Sequence, residues 1–346
     1  MATTVLTINK APQLPLPNVP QSYGLLQRLI NITITLAQNT QMNQPNTFSE
    51  SGTDTVTLSG SRTSVRIENS GSPVGNSAQV KIWGMTPSLM NQLATLGLVF
   101  NLVPKNALTV QAGDATNGMS TVFTGTIVAA YGDYSSQPDV PFVFECNSGL
   151  INAVVSVPPT SFPRPFSVAT AMAGFARQMN VGFLNSGNVQ VTLPPSYFNG
   201  SLKDQIQKCA DNAHIQWTSN SNTLEIWPNG GSRTTPSVPT ISPQTGMVSY
   251  PAFTQQGIIV KTLFNPLLSF GGLVSVQSSL LAAIASAQPT QQPILSSNFQ
   301  PPSTFPTQWA INKLDLALDS LLPHGDWLSI VYGYNPGYAK TILPPA

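Results

Sequence analysis

The sequence predicts an α+β, mainly β protein in which two strand-rich blocks flank a small α/β insert. Three observations carry that prediction. Short runs alternating apolar and polar residues recur between turn residues over positions 29–146 and again from Gly257 onward. Between those blocks, over positions 166–179 and 202–213, the apolar spacing becomes helical. Prolines cluster at positions 12–20, 158–165 and 289–306; the 31 prolines are roughly twice the usual share of ~5% and punctuate the chain where the pattern changes.

Residues 1–22 are Pro-rich and without periodicity, which predicts an extended arm that orders only against something else. Residues 23–157 form the first block. Ile30, Ile32, Ile34 and Leu36 alternate with Asn31, Thr33 and Thr35, the pattern of a strand with one buried face. Strands of the same kind are expected at Val56/Leu58, Val65/Ile67, Ala78/Val80/Ile82, Leu108/Val110, 122–130 and Phe142/Phe144. Their regular spacing argues for a barrel or sandwich. One helix interrupts them, with Thr86 as N-cap, Pro87 at its first position and Gly97 just past its end. Its stripe of Leu89, Leu93 and Leu96, with Met90 alongside, predicts a plug for an open barrel end.

Residues 158–235 read as the α/β insert, one or two small modules. Val168, Met172, Phe175 and Met179 follow the candidate cap Ser167, and Leu202, Ile206 and Cys209 follow the candidate cap Ser201. Short strands are expected at 181–184, 189–193, 215–218 and 223–227. Residues 236–346 form the second block. Within it, Ile258, Val260 and Thr262 alternate with Ile259, Lys261 and Leu263; Leu273, Val274 and Val276 follow Gly271-Gly272. These two runs predict paired strands bent around Asn265-Pro266. An Ala-rich run at 279–287 suggests a short helix entering a polar loop at 280–306. The closing hairpin places Asn312, Leu314, Leu316 and Leu318 in alternation, turns at Pro323-His324-Gly325-Asp326 and returns through 327–334.

Charge is scarce. Only 8% of residues are Asp, Glu, Lys or Arg, against about 25% in ordinary soluble domains. The net charge of +1 supplies no clustered cations for sequence-specific nucleic-acid binding or an anionic membrane surface. Composition alone fits both a secreted globular protein and a subunit that covers much of its surface with neighbours. Cys146 and Cys209 are too few for a disulfide framework and have no zinc-type spacing. A reducing compartment fits them, and a single bridge between them stays open. No apolar run long enough for a membrane helix and no leader-like N-terminus is present, so no targeting or membrane role is expected.

The supply of catalytic residue types is poor, and no catalytic, cofactor-binding or metal-ligating residue is assigned; no cofactor is expected. His214 lies five positions after Cys209, a turn of about 140° on a helix, so a Cys-His dyad is not expected. His324 beside Asp326 lies in a turn, where local hydrogen bonding is the ordinary role. Asp114-Ala115-Thr116-Asn117-Gly118 lacks the carboxylates of a calcium loop and reads as a hairpin turn. Glu68, Glu145 and Glu225 have no partner recognisable in sequence for glycoside cleavage. Trp83, Trp217, Trp227, Trp309 and Trp327 read as core or interface anchors, with a sugar-binding platform as the minor reading.

Several strings together resemble one family. SGSRTSVRIENSG, AQVKIWGMTPSLMNQLATLG, TVFTGTIVAAYGDY and VPFVFEC are similar to the first domain of tailed-bacteriophage baseplate or tail-tip hub proteins of the T-even type. SLKDQIQKCADNAHIQWTSNSNTLEIWPNGG, PQTGMVSYPAFTQQG, GIIVKTLFNPLLSFGGLVSVQSS and LLPHGDWLSIVYGYN extend the likeness across positions 29–335. The resemblance implies two tail-tube-like β-barrel domains around the insert and a non-enzymatic structural role in the virion. It implies a homotrimer forming a pseudo-six-fold ring with a channel for DNA. The tail tube or a distal tail protein would sit above and spike- or fibre-bearing tail-tip proteins below, with the tape-measure protein as a further partner and assembly in the host cytoplasm. A ring lumen would be polar and weakly charged, because DNA must pass without sticking. The polar loop at 280–306 departs from the family pattern. The alternative function is a carbohydrate- or receptor-binding β-protein of the virion; a hydrolase built on His324 and Asp326 is the third class.

Overall fold

The computed structural model describes residues 27–37, 47–48, 51–71, 75–95, 105–149, 157–220, 223–235, 237–254, 257–278, 282–283, 308–322 and 324–336. The arm at 1–22, the expected helix end at Gly97 and nearly all of loop 280–306 lie outside them. The architecture is mainly β, with a large antiparallel sheet and helices concentrated in the insert.

The first block runs β1 (Arg28–Thr35), β2 (Thr55–Ser59), β3 (Thr63–Asn69), β4 (Asn76–Ile82), α1 (Pro87–Leu93), β5 (Ala107–Asp114), β6 (Gly118–Gly132) and β7 (Phe142–Asn147). Each expected strand is present. Alternation places Ile30, Ile32 and Ile34 of β1, Val65 and Ile67 of β3, and Phe142, Phe144 and Cys146 of β7 in one core. Burial of each large apolar side chain there is worth ~1.5–3 kcal/mol. β6 is too long to alternate without interruption. It pairs with β5 up to Thr126 and with β7 from Thr126 onward, and a register shift within each pairing, at Val122 and at Val128, keeps Phe123, Ile127 and Ala130 inward. In α1 the Thr86 hydroxyl accepts from the Leu89 amide at 3.3 Å, and Leu89 and Leu93 enter the same core, while Leu96 lies outside the described residues. The helix ends at Leu93, because Ala94 is already extended.

The insert contains β8 (Thr160–Phe162), β9 (Phe166–Ser167), α2 (Val168–Gln178), β10 (Gly182–Asn185), β11 (Thr192–Leu193), β12 (Ser196–Phe198), α3 (Leu202–Asn212), β13 (Ile215–Asn220) and β14 (Thr223–Pro228). Both helices pack a separate core against the sheet β10-β14-β13, with Met172, Phe175, Ile206, Leu224 and Ile226 inside it. Ser201 and Asp204 form a reciprocal capping box on α3, whereas Ser167 occupies the N-cap of α2 without a side-chain cap bond. On the opposite face of β14, Trp227 is buried against Phe270 at a ring separation of 5.8 Å, and Glu225 pairs with Arg233.

The second block comprises β15 (Thr240–Ile241), β16 (Ala252–Thr254), β17 (Gly257–Leu263), β18 (Leu273–Val276), β19 (Ala282–Ala283), β20 (Gln308–Ser320) and β21 (Trp327–Tyr334). The Ile258/Val260/Thr262 face is buried as expected. The expected pairing of β17 with β18 does not occur: β17 bonds to β16 and β21, while β18 bonds to β15 and β20. The corner around Asn265-Pro266 is instead a buried crossing, with Phe264, Leu268 and Phe270 packed inward. Phe270 also reaches the first block. A Cβ on Gly71 would stand 2.0 Å from its ring, so the φ of +67° at Gly71 and the missing side chain both serve that contact. The described part of the Ala-rich run, β19, is extended and parallel to β16 rather than helical.

β20 joins the two blocks. Its first residues pair with β18, its later residues pair with β3 from Leu314↔Asn69 to Ser320↔Thr63, and β21 lies along its other side. A bulge between Ile311 and Lys313 marks the exchange of partners. The bulge changes the inward parity, so that Trp309 and Ile311 are buried before it and Leu314, Leu316 and Leu318 after it. Asn312, expected in phase with those leucines, is exposed because it is the residue spent in the bulge. The Ser320 hydroxyl then donates to the Arg28 carbonyl at 2.9 Å, bringing the end of β20 to the start of β1.

Candidate functional site

The solvent face of the first block, extended by β20 where it pairs with β3, divides into two halves. Across β2, β1, β5 and β6, register aligns uncharged side chains in rows, all of them polar except Ala107. Ser59, Asn31, Gln111 and Thr121 make one row. Thr57, Thr33, Thr109 and Thr124 make the next, and Thr55, Thr35, Ala107 and Thr126 the third. Hydroxyls bridge neighbouring strands at 3.1 Å for Thr33 and Thr57, 3.3 Å for Thr35 and Thr55, and 3.4 Å for Thr109 and Thr124. Each bridge uses one hydroxyl proton within the sheet. The rows contain no Asp, Glu, Lys or Arg.

The other half, on β7, β4, β3 and β20, carries much of the charge on this face. Glu145 accepts from the Tyr131 hydroxyl at 3.1 Å, Lys81 lies 3.7 Å from Asp133, and Lys313 lies 3.1 Å from Asp315 and 4.0 Å from Glu68. Arg66 grips Asp319 with two bonds, at 2.8 and 3.1 Å, and reaches Asp326 at 3.2 Å. Burial pushes the Asp319 carboxyl up, but bonds from Arg66, Ser64 and the Asp326 amide, with the charge of Arg66, hold it below its ordinary value. The bond to Asp319 raises Arg66 in turn. This network lies across the β20–β3 seam that ties the blocks together.

The residues singled out from sequence are not gathered into a reactive centre. Cys209 is buried, whereas His214, in a left-handed turn, is exposed. Cys146 and Cys209 are both free and occupy different cores; burial pushes each thiol up to about 12. His324 is exposed, and Asp326 is engaged by Arg66. The Asp114 carboxylate accepts from the Thr116 and Asn117 amides at 2.8 and 2.6 Å, a hairpin turn between β5 and β6. Glu68, Glu145 and Glu225 are each occupied by the different partners named above. No group of metal-type side chains occurs among the described residues.

The tryptophans are packed. Trp217 donates to Gln207 at 2.9 Å and Trp227 to Gln216 at 2.9 Å. Trp309 meets Phe253, Trp327 meets Phe264, and Arg62 covers Trp83 at 4.5 Å. The hydroxyl rows were the feature sequence reading missed. Their signal is the Thr-x-Thr spacing in Thr33/Thr35, Thr55/Thr57 and Thr124/Thr126, but only register shows that these pairs are adjacent.

With that geometry in hand, the family model described as Baseplate hub gp41 matches residues 30–287. The chain belongs to this baseplate hub family. The hub protein is thus a β-rich structural component of the phage tail baseplate. Two solved structures are similar to it in fold. The tail protein from Neisseria meningitidis MC58 aligns with TM-score 0.55 at 10% identity, covering 90% of this chain and 98% of its own. The prophage MuSo2 43 kDa tail protein from Shewanella oneidensis aligns with TM-score 0.52 at 8% identity, covering 89% and 99%. A search of curated proteins finds no match to the hub protein.

Proposed function

We propose that the hub protein is a non-enzymatic subunit of a homotrimeric, pseudo-six-fold ring. The ring joins the tail tube or a distal tail protein to the spike or fibre apparatus and leaves a channel for DNA, with the tape-measure protein as a further partner; it assembles in the host cytoplasm. On this reading the chain divides into an arm at 1–22, a first barrel at 23–157, an insert at 158–235 and a second barrel at 236–346. The observation that carries it is the joining of two strand blocks by β20 in one sheet, which gives one chain two side-by-side β units. Three copies supply six such units.

Image reconstruction of virions and of the purified protein tests this. The expected result is three-fold density on the tail axis with six similar barrels around a lumen. A monomer lying off that axis overturns it.

A further inference from the structure

We infer that the insert is a latched body: one buried junction at Phe270 clamps it to both strand blocks, and opening that junction lets it turn as an intact folded unit. This holds for the single chain, with or without a ring. Among the described residues no strand of the insert pairs with a strand of either block, and its core around Met172, Phe175 and Ile206 is separate from theirs. Strand β14 faces both ways. Leu224 and Ile226 enter the insert's own core, while Glu225 and Trp227, out of phase with them, point away from it and are buried all the same.

What buries them is the corner at Phe270. Its ring meets Trp227 of the insert at 5.8 Å, fills the space of a missing side chain at Gly71 of the first block, and hangs from the backbone of the second. Arg233, on the segment leaving the insert, closes the clamp. Its guanidinium pairs with Glu225 and donates to the Phe270 carbonyl at 3.0 Å, and its amide donates to the Gly271 carbonyl at 2.7 Å. The Tyr334 hydroxyl adds a bond to the Gly231 carbonyl. This clamp is the weak point of its surroundings. Desolvation offsets much of the attraction within a buried ion pair, and the Arg233 Nε is buried without an acceptor. The insert's core is apolar by contrast, and the β20–β3 seam is an unbroken ladder. Beside the junction the two bodies part: Gly75 and Ser148 of the first block face Met179, Lys203 and Trp217 of the insert across an open cleft, which leaves room for the insert to turn.

Distances between spin labels in the purified full-length chain test the latch. Tyr197→Cys on the insert and Ser59→Cys on the first block place labels at exposed positions, while Cys146 and Cys209 are buried and stay unlabelled. The doubly labelled protein is expected to show one narrow distance. Adding Arg233→Gln, which leaves Glu225 buried without its charged partner, is expected to spread that distance into a second, displaced population while the helical circular dichroism signal of the insert is kept. Gly271→Ala opens the same junction without removing a charge, because its Cβ would stand 2.6 Å from the Trp227 ring, and the same spread is expected. An unchanged narrow distance in either folded variant overturns the inference, since the insert is then held elsewhere. Loss of the helical signal together with the distance, or failure of both variants to fold, also overturns it, since the insert is then no independent body. In the native protein the Arg233 amide is expected to exchange its hydrogen faster than the amides of α2 and α3; equal rates mean that the junction opens only on unfolding and overturn the inference without any substitution at the clamp.

Discussion

The two halves of the first block are built on one core and differ on the face they turn to solvent. Inward, Ile32, Val110 and Phe123 on one side do the same work as Val80, Phe144 and Leu316 on the other. Outward, one half presents self-paired threonines and the other a chain of ion pairs from Glu145 to Arg66 and Asp319. The difference teaches that inward positions determine the core while outward positions are free to be assigned by use. In a protein with so few charges, their concentration along one seam is a choice of place.

The largest test strikes the frame both halves share. Asp315→Leu with Leu316→Asp reverses the parity of β20 at its centre, turning a leucine to solvent and a carboxylate into the core. Loss of the folded state by circular dichroism and calorimetry is expected; a folded, fully stable protein would show that β20 does not bind the two halves through its parity. Next, Asp319→Asn strips Arg66 of the nearer and more buried of its two charged partners and is expected to cost about 2 kcal/mol in urea unfolding.

The same residue gives a pH signature. Because the folded-state pKa of Asp319 is lowered, its contribution is complete above the ordinary carboxylate value of ~3.9 and disappears as pH falls through the depressed one. The native protein should therefore lose stability relative to Asp319→Asn on acidification, and parallel profiles would argue that the seam is not held by this ion pair. The smallest effect belongs to the hydroxyl half. Thr33→Val with Thr57→Val removes a cross-strand pair worth ~0.2–1 kcal/mol while adding a strand former, so stability should shift by about 0.5 kcal/mol or less. A loss comparable with that of Asp319→Asn would erase the contrast between the halves.

Strand identity was legible because alternation is a local signal: Ile30 to Ile34, Val65 to Ile67 and Ile258 to Thr262 each declare a buried face within a few residues. The helices were legible from spacing and caps, down to Ser201 and Thr86. Partnership was not legible. Nothing near 257–276 announces that β21 and β20 intervene between β17 and β18, because pairing is decided by distant segments and by the buried crossing of Phe264, Leu268 and Phe270. The bulge at Asn312 was hidden for a related reason. Two parities, one through Trp309 and Ile311 and one through Leu314 to Leu318, overlap in a run that looks regular when read from its leucines alone. The candidate surface shared that fate, since each Thr-x-Thr pair is ordinary and their alignment exists only in register.

The position of β20 also bears on how the chain is made. The first block is encoded by residues 28–147, yet the neighbour of β3 is read out only at residues 314–320. On a ribosome, therefore, the first block waits with the β3 edge open while the insert, whose core is its own, completes its folding ahead of it. An open strand edge is a site for mispairing with another nascent chain. Translation order makes β20 the late closing piece of a unit begun almost three hundred residues earlier, and Arg28 and Ser320 are the two ends that meet when it arrives.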